Sequence, residues 1–371
     1  MTKIHRPPKA PRRRVLHFVT GGFSGATQVA IDLCRASLDG GQIEPILVLR
    51  KKRNTDMARV DALRSDGLQV FVVPGWAHWA TILALRNLCR AQLPEVLVAH
   101  GFPEHLLGRW AGLWAGVPRL VQVEHNSRER YSAWKRWQAR WLAWRSARIV
   151  GVSEGVRQQL VALGMPAGRT LAIPNGVALD RFDAAPTQDF AQRENAIVMS
   201  ARFARQKDQV TLIRAVGLLK ARGLAPMLYL AGAGKTSYRR EAERLVRELE
   251  LEQQVKFMGH YNHMPELLIG KRIFVLSTHW EGMPLALVEG MAAGCACIAS
   301  LVPGVEGMLE DGRTGLVVPP RNPAALADLL ALLLQDEALA ARLGDAARER
   351  ALAEHGLMLM TRRYEELFLS L

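Results

Sequence analysis

The chain has 371 residues, 49% of them hydrophobic, which is more than one core serves and implies two domains with a sizeable core in each. Its four cysteines, Cys34, Cys89, Cys295 and Cys297, form neither a disulfide framework nor a spaced metal-ligand cluster, so a disulfide scaffold is excluded and a reducing cytoplasm fits. The formal charge of +14 sits in the first half: residues 1–178 hold 26 Lys and Arg against 11 Asp and Glu, a balance of +15, and residues 179–371 hold 23 against 24, a balance of −1.

Such asymmetry points the first half at something anionic, whether a membrane surface, an acidic acceptor or nucleic acid. The chain opens on a basic tail, MTKIHRPPKAPRRR (1–14), without the apolar stretch of a secretory signal. No apolar run approaches the roughly 20 residues that span a bilayer, so a soluble or peripheral protein is expected.

Short apolar runs then alternate with amphipathic stretches: VLHFVT (15–20), PILVLR (45–50), LQVFVVP (68–74), EVLVAH (95–100), LVQVEH (120–125) and ARIVGVS (147–153). After a polar, irregular stretch at 177–194 the alternation restarts with AIVMSA (196–201), MLYLAG (227–232), VKFMG (255–259), RIFVLST (272–278) and CACIAS (295–300). Continuous Val/Ile/Leu runs separated by helices predict parallel sheets covered on both faces, and the pause predicts two doubly wound α/β domains. Ligands of such sheets bind beyond the carboxyl ends of the strands, so a cleft shared by two facing domains is the expected site. Cys295 and Cys297 lie inside an apolar run and read as core packing.

The first strand runs into Gly21-Gly22-Phe23-Ser24-Gly25 ahead of a helix-like stretch. Glycines there can let backbone N–H groups approach an anion at a helix N-terminus, or can serve tight packing. Arg202 and Lys207 follow the strand AIVMSA, two long cations suited to a phosphate leaving group or, equally, to a solvated basic loop. In Glu281-Gly-Met-Pro-Leu-Ala-Leu-Val-Glu289, Gly282 and Pro284 place Glu281 on a loop and Glu289 on the following helix. The two carboxylates can then serve sugar and ribose hydroxyls, and the N–H groups of Met283, Leu285 and Ala286 can meet phosphate. An ordinary capped helix with exposed acids is the other reading.

The set Gly21-Gly22, His125, Asn175-Gly176-Val177, Arg202 to Lys207, Gly232 to Gly234, Phe257-Met258-Gly259 and Glu281 to Glu289, followed by Gly290 to Gly294, runs in order over nearly the whole chain. It resembles the retaining glycosyltransferases of family 4. That resemblance implies the GT-B fold, two Rossmann-like domains facing across a cleft: an acceptor domain at 15–178, a nucleotide-sugar donor domain at 179–355, and a final helix at 356–371 that crosses back to the first. It further implies that Arg202 and Lys207 hold the donor diphosphate, Glu289 the ribose and Glu281 the transferred sugar. His125 would face the donor sugar, Gly22 would lie near the diphosphate, and the base would lie near Phe257 to His260, with Gly232 and Gly259 in the donor-binding set. A strand-end histidine outside such a set reads as an ordinary polar core or loop residue.

The segment Ala233-Gly234-Lys235-Thr236-Ser237 lacks the leading glycine of a nucleotide-triphosphate loop, Tyr229 standing in its place. No Asp-x-Asp pair occurs, so no metal is expected and the two cations are the expected partners of the leaving group. In residues 128–148, Trp134, Trp137, Trp141 and Trp144 recur at helical spacing among seven Arg or Lys, which suits either a helix on anionic lipid or tryptophans packed on the sheet. No nucleic-acid-binding module accompanies them. The resulting expectation is a cytoplasmic enzyme, peripheral on the inner face of the membrane. It would move a sugar from a nucleotide-sugar to a lipid-linked or saccharide acceptor of lipopolysaccharide or a related envelope glycan. A GT-B sugar-nucleotide epimerase and a non-catalytic nucleotide-sugar-binding protein are the alternatives.

Overall fold

The computed structural model describes residues 12–127, 131–183 and 189–371, so most of the basic tail and the start of the tryptophan segment lie outside the described residues. The chain divides into two compact units, Met1–Pro174 together with Met358–Leu371, and Asn175–Leu357.

The first unit is built on a seven-stranded sheet: β1 Arg13–Thr20, β2 Ile43–Arg50, β3 Gln69–Val73, β4 Val96–His100, β5 Arg119–Glu124, β6 Arg148–Gly151 and β7 Thr170–Ala172, in the order β3-β2-β1-β4-β5-β6-β7. Every pairing is parallel. Successive residues Val15, Leu16, Phe18 and Val19 of β1 are all buried, as a strand covered on both faces requires. On one face Leu16, Phe18, Ile46 and Leu97 pack with Leu85, Leu107 and Ala111 from the helices His78–Gln92 and Glu104–Ala115. On the other, Val19, Leu47 and Leu49 pack with Ala30, Ile31 and Cys34 from the helix Gly25–Gly40. All four cysteines are buried free thiols.

The second unit repeats the plan with six strands: β8 Glu194–Ser200, β9 Leu228–Ala231, β10 Val255–Gly259, β11 Lys271–Leu276, β12 Ala296–Ser300 and β13 Leu316–Val318, in the order β10-β9-β8-β11-β12-β13 and parallel throughout. Winding reverses between β1 and β4 in the first sheet and between β8 and β11 in the second. These are the switch points where ligands of open α/β sheets bind. The apolar runs anticipate eleven of these thirteen strands. β7 and β13, three residues each at a sheet edge, are too short to carry a pattern.

The last helix, Leu357–Ser370, docks by its carboxyl end on the first sheet. Arg13 Nη1 donates to Phe368 O at 2.5 Å and Arg119 Nε to Leu371 O at 2.7 Å.

Close helix–sheet approach in the first unit depends on Gly108. A Cβ there would stand 2.7 Å from the Ala99 Cβ and 2.9 Å from Phe18 Cδ1. A Gly108→Val protein is therefore expected to lose roughly 1–3 kcal/mol of stability, read as a lower urea midpoint, and an unchanged midpoint would contradict this packing.

Candidate functional site

In the second unit, β8 ends at Ser200 and the chain passes through Arg202 into a tight turn, Arg205–Lys207. Asp208 closes the turn with a positive φ of 40° and caps the next helix, accepting from Thr211 Oγ1 at 2.7 Å. This turn is stapled to the segment that leaves β11. Ser277 Oγ donates to Asp208 O at 3.0 Å, Thr278 Oγ1 to Gln206 O at 2.9 Å and His279 N to Gln206 O at 2.8 Å.

The staple brings together two residues that lie 74 positions apart: Lys207 Nζ donates to Glu281 Oε1 at 2.5 Å. Thr278 Oγ1 also lies 2.9 Å from Oε1, its one proton shared between that oxygen and Gln206 O, and Gln206 Nε2 donates to Oε2 at 3.2 Å. With two acceptor sites per carboxylate oxygen, this leaves Oε2 one site for a further donor such as a sugar hydroxyl. Lys207 keeps two N–H groups beyond the one it gives to Glu281. Arg202 is exposed, and its guanidinium has no carboxylate partner among the described residues. Gln206 and Thr278 are absent from the set named in the sequence, because a glutamine and a threonine carry no charge pattern to find them by.

Glu289 lies one turn into the helix Leu285–Ala292, with its side chain 19% exposed and ion-paired to Arg181. Burial pushes its carboxyl up, and the Arg181 charge opposes that. Pro284 precedes the helix without a side-chain cap, and its carbonyl serves only the N–H groups of Leu287, at 3.0 Å, and Val288, at 3.4 Å. The Leu285 and Ala286 N–H groups are thus the ones a helix start leaves for a ligand. Met283 is buried, and its Sδ accepts from Asn175 N at 2.9 Å.

Glycines of the set divide by function. Gly232 donates to Gly259 O at 2.7 Å, and a Cβ on it would stand 2.3 Å from Ala201 O, so only glycine lets this loop lie against the one carrying Arg202. Gly259 has a φ of 64° and open space at its Cβ position. Gly21 is a packing residue: its N–H donates to Arg50 O at 2.8 Å and a Cβ would stand 2.7 Å from that oxygen. Gly22 has open space around it, with Thr20 Oγ1 nearest at 3.8 Å.

In the first unit His125 directly follows β5 and belongs to a row of three stacked imidazoles. His17 Nδ1 lies 3.1 Å from His100 Nε2, and His100 Nδ1 lies 3.2 Å from His125 Nε2. Ring centroids are 5.3 and 5.4 Å apart. Burial pushes His17 down to about 3 and His125 to about 4, and also holds His100 well below the usual range. Three neutral rings in a row must all donate in one direction. His17 Nε2 is buried without a partner among the described residues, and an unpaired N–H is costlier there than an unpaired lone pair. The network therefore assigns Nδ1–H to each ring and leaves His125 presenting Nδ1–H as a neutral donor.

The tryptophan segment resolves unevenly. Its helix runs only over Ala133–Ala143, with Trp141 stacked on Trp110 at 5.0 Å, while Trp134, Trp137 and Trp144 are 64%, 51% and 62% exposed. Among the described residues no helix is long and apolar enough to cross a membrane.

Comparison with known proteins places this geometry in context. Residues 180–350 match the family described as Glycosyl transferases group 1, and residues 24–176 the one described as Glycosyl transferase 4-like domain. Over 297 residues, 74% of this chain and 77% of the other, the sequence is 22% identical to the UDP-Gal:alpha-D-GlcNAc-diphosphoundecaprenol alpha-1,3-galactosyltransferase of Escherichia coli. The crystal structure of Anabaena HepE in complex with UDP superposes with a TM-score of 0.84 at 19% identity, covering 97% of this chain and 100% of that one. The apo lipopolysaccharide outer core galactosyltransferase WaaB does so with 0.74 at 15% identity, over 97% and 100%.

The histidine row generates a pH dependence. An unfolded imidazole takes up a proton below about pH 6.5, whereas the buried rings resist until about pH 4 or 3, so the unfolded chain binds more protons and stability falls on acidification. Each ring contributes a slope approaching about 1.4 kcal/mol per pH unit in that window. Denaturation midpoints between pH 7 and pH 4 are expected to fall less steeply for His17→Phe than for the native chain, and parallel curves would show that His17 is not held neutral.

Proposed function

The chain belongs to the group 1 glycosyl transferases, enzymes of GT-B fold that use nucleotide-sugar donors, and from that premise we propose that it transfers a sugar, with retention, to a lipid-linked or saccharide acceptor of the cell envelope. The observation that carries this reading is the Lys207–Glu281 pair beside the unpaired Arg202 at the carboxyl ends of β8 and β11. A tethered lysine and an exposed arginine at a switch point suit a diphosphate.

In this reading the bond between the anomeric carbon and the diphosphate oxygen breaks, and its electron pair departs with the phosphate. Arg202 and the two remaining N–H groups of Lys207 stabilise that growing negative charge, together with the helix start at Leu285 and Ala286. Because Lys207 is already held by Glu281, its reorganisation adds little to the barrier. Glu281 holds Lys207 in place and offers its remaining acceptor site to a sugar hydroxyl, while Glu289 accepts from the ribose in competition with Arg181. The acceptor oxygen bonds to the anomeric carbon on the face the diphosphate leaves, and its proton passes to the departing phosphate oxygen. His125, neutral and donating through Nδ1–H, hydrogen-bonds the donor sugar. No step calls for a metal ion.

The acceptor class rests on charge and surface chemistry. The excess of cations in the first half and the exposed Trp134, Trp137 and Trp144 suit the anionic inner face of a cytoplasmic membrane, where an undecaprenyl diphosphate acceptor like that in the name of the Escherichia coli relative would lie. Envelope polysaccharide assembly, as in the name of WaaB, is the matching process.

Lys207→Ala is expected to lower kcat by about 10²–10³ with the fold intact by circular dichroism, the usual loss for one preorganised donor. Glu289→Ala should chiefly raise KM for the nucleotide-sugar. Both are read in a transfer assay run in excess chelator, where the native enzyme retains full activity. Undiminished turnover in both variants, or epimerised donor accumulating without acceptor, would overturn the assignment.

A further inference from the structure

The carboxyl ends of β2 and β3 carry a cleft of about 740 Å³ that the donor reading does not use. One side is cationic. Lys51, Lys52 and Arg53 follow directly on Arg50, the last residue of β2, and all three line the cleft. Buried Arg50 donates Nη1 to Glu104 at 3.1 Å, and Glu104 also holds Lys52 at 3.3 Å, so a single carboxylate is shared by two cations. Lys51 and Arg53 are exposed and have no carboxylate partner among the described residues. Four cations thus stand against one acid.

The other side is apolar. Met57 and Trp76 line it at 41% and 74% exposure, and Trp79, 61% exposed, meets Trp76 edge-on with ring centroids 5.0 Å apart. The two sides are held together by a built floor. Lys51 N donates to Val73 O at 2.9 Å, and Thr81 Oγ1 donates to Pro74 O at 2.7 Å. A Cβ on Gly75 would stand 1.7 Å from Lys51 O, so the segment carrying Trp76 reaches the basic residues only through a glycine.

Uncompensated cations and large exposed apolar side chains on one cleft ask for a ligand that has both an anionic head and a hydrocarbon body. Inorganic phosphate would leave Met57, Trp76 and Trp79 in water, and a neutral hydrocarbon would leave the charge unanswered. We propose that this cleft binds the phosphate of a phosphorylated lipid, its chain lying on Met57, Trp76 and Trp79. The inference deepens the lipid-linked acceptor reading and rests on it for biological role, while the binding chemistry stands on the cleft alone.

The test is calorimetric titration with octyl phosphate below its micelle concentration, with inorganic phosphate and octanol as separate arms. The native chain is expected to bind octyl phosphate at least tenfold more tightly than either half-ligand. Lys51→Glu/Arg53→Glu and Trp76→Ala/Trp79→Ala should each lose at least tenfold while keeping native UDP affinity, which monitors the second unit. Inorganic phosphate binding as tightly as octyl phosphate, or octyl phosphate binding unchanged in both variants, overturns the proposal. A native chain that binds UDP but not octyl phosphate sinks the cleft and spares the donor reading; a native chain that binds octyl phosphate but not UDP does the reverse. Phosphatidylcholine vesicles with and without phosphatidic acid then separate the sources. Tenfold weaker sedimentation of the Lys51→Glu/Arg53→Glu protein assigns the cleft to a membrane headgroup, and unchanged sedimentation assigns it to the extracted acceptor.

Discussion

A parallel sheet covered by helices on both faces has almost no place for a charged side chain along its strands, so polar chemistry gathers where the strands end. Both units obey this constraint. In the second, the cations Arg202 and Lys207 leave β8, and Glu281 leaves β11, its neighbour across the switch point. In the first, His100 and His125 end β4 and follow β5, and Arg50 to Arg53 close β2. His17 breaks the pattern from the middle of β1, and it survives there only because burial holds it neutral and His100 takes its single proton.

In the second unit the fold itself fixes the position of a cation. Lys207 and Glu281, 15% and 6% exposed, are sheltered enough that an unpaired charge would be costly, so each secures the other. Three donors on one carboxylate fix its plane, and with it the ammonium. Arg181 does the same for Glu289 while leaving that carboxyl raised by burial, a group whose charge depends on its partner. Arg202 has no carboxylate partner among the described residues, and an exposed arginine beside a tethered lysine pairs adaptability with fixed position.

Charge in the first unit is spent differently. One of its buried cations, Arg50, is used to hold the backbone of the 74–76 segment and to share Glu104 with Lys52, while Lys51 and Arg53 stay in solvent beside Trp76. Exposed tryptophans recur at Trp134, Trp137 and Trp144. A basic surface studded with indole rings is the composition that the proposed work against anionic lipid calls for.

Much of this was legible in one dimension. Apolar runs marked the long strands because a doubly covered strand must be apolar throughout, and the glycine, cation and carboxylate set carried the family resemblance in its order. The short edge strands β7 and β13 were not legible, three residues being too few for any period. Gly21 could be read as anion cradle or as packing, and only the position of Arg50 O decided for packing. The tryptophan stripe was ambiguous because spacing gives a helix face but not what covers it; the tertiary structure stacks half-buried Trp141 on Trp110 and leaves the other three in solvent. Gln206, Arg181, His17 and His100 have partners tens of residues away, and the packing of whole sheets rather than any local pattern brings them within hydrogen-bond reach, while Thr278, only three residues from Glu281, carries no charge to mark it.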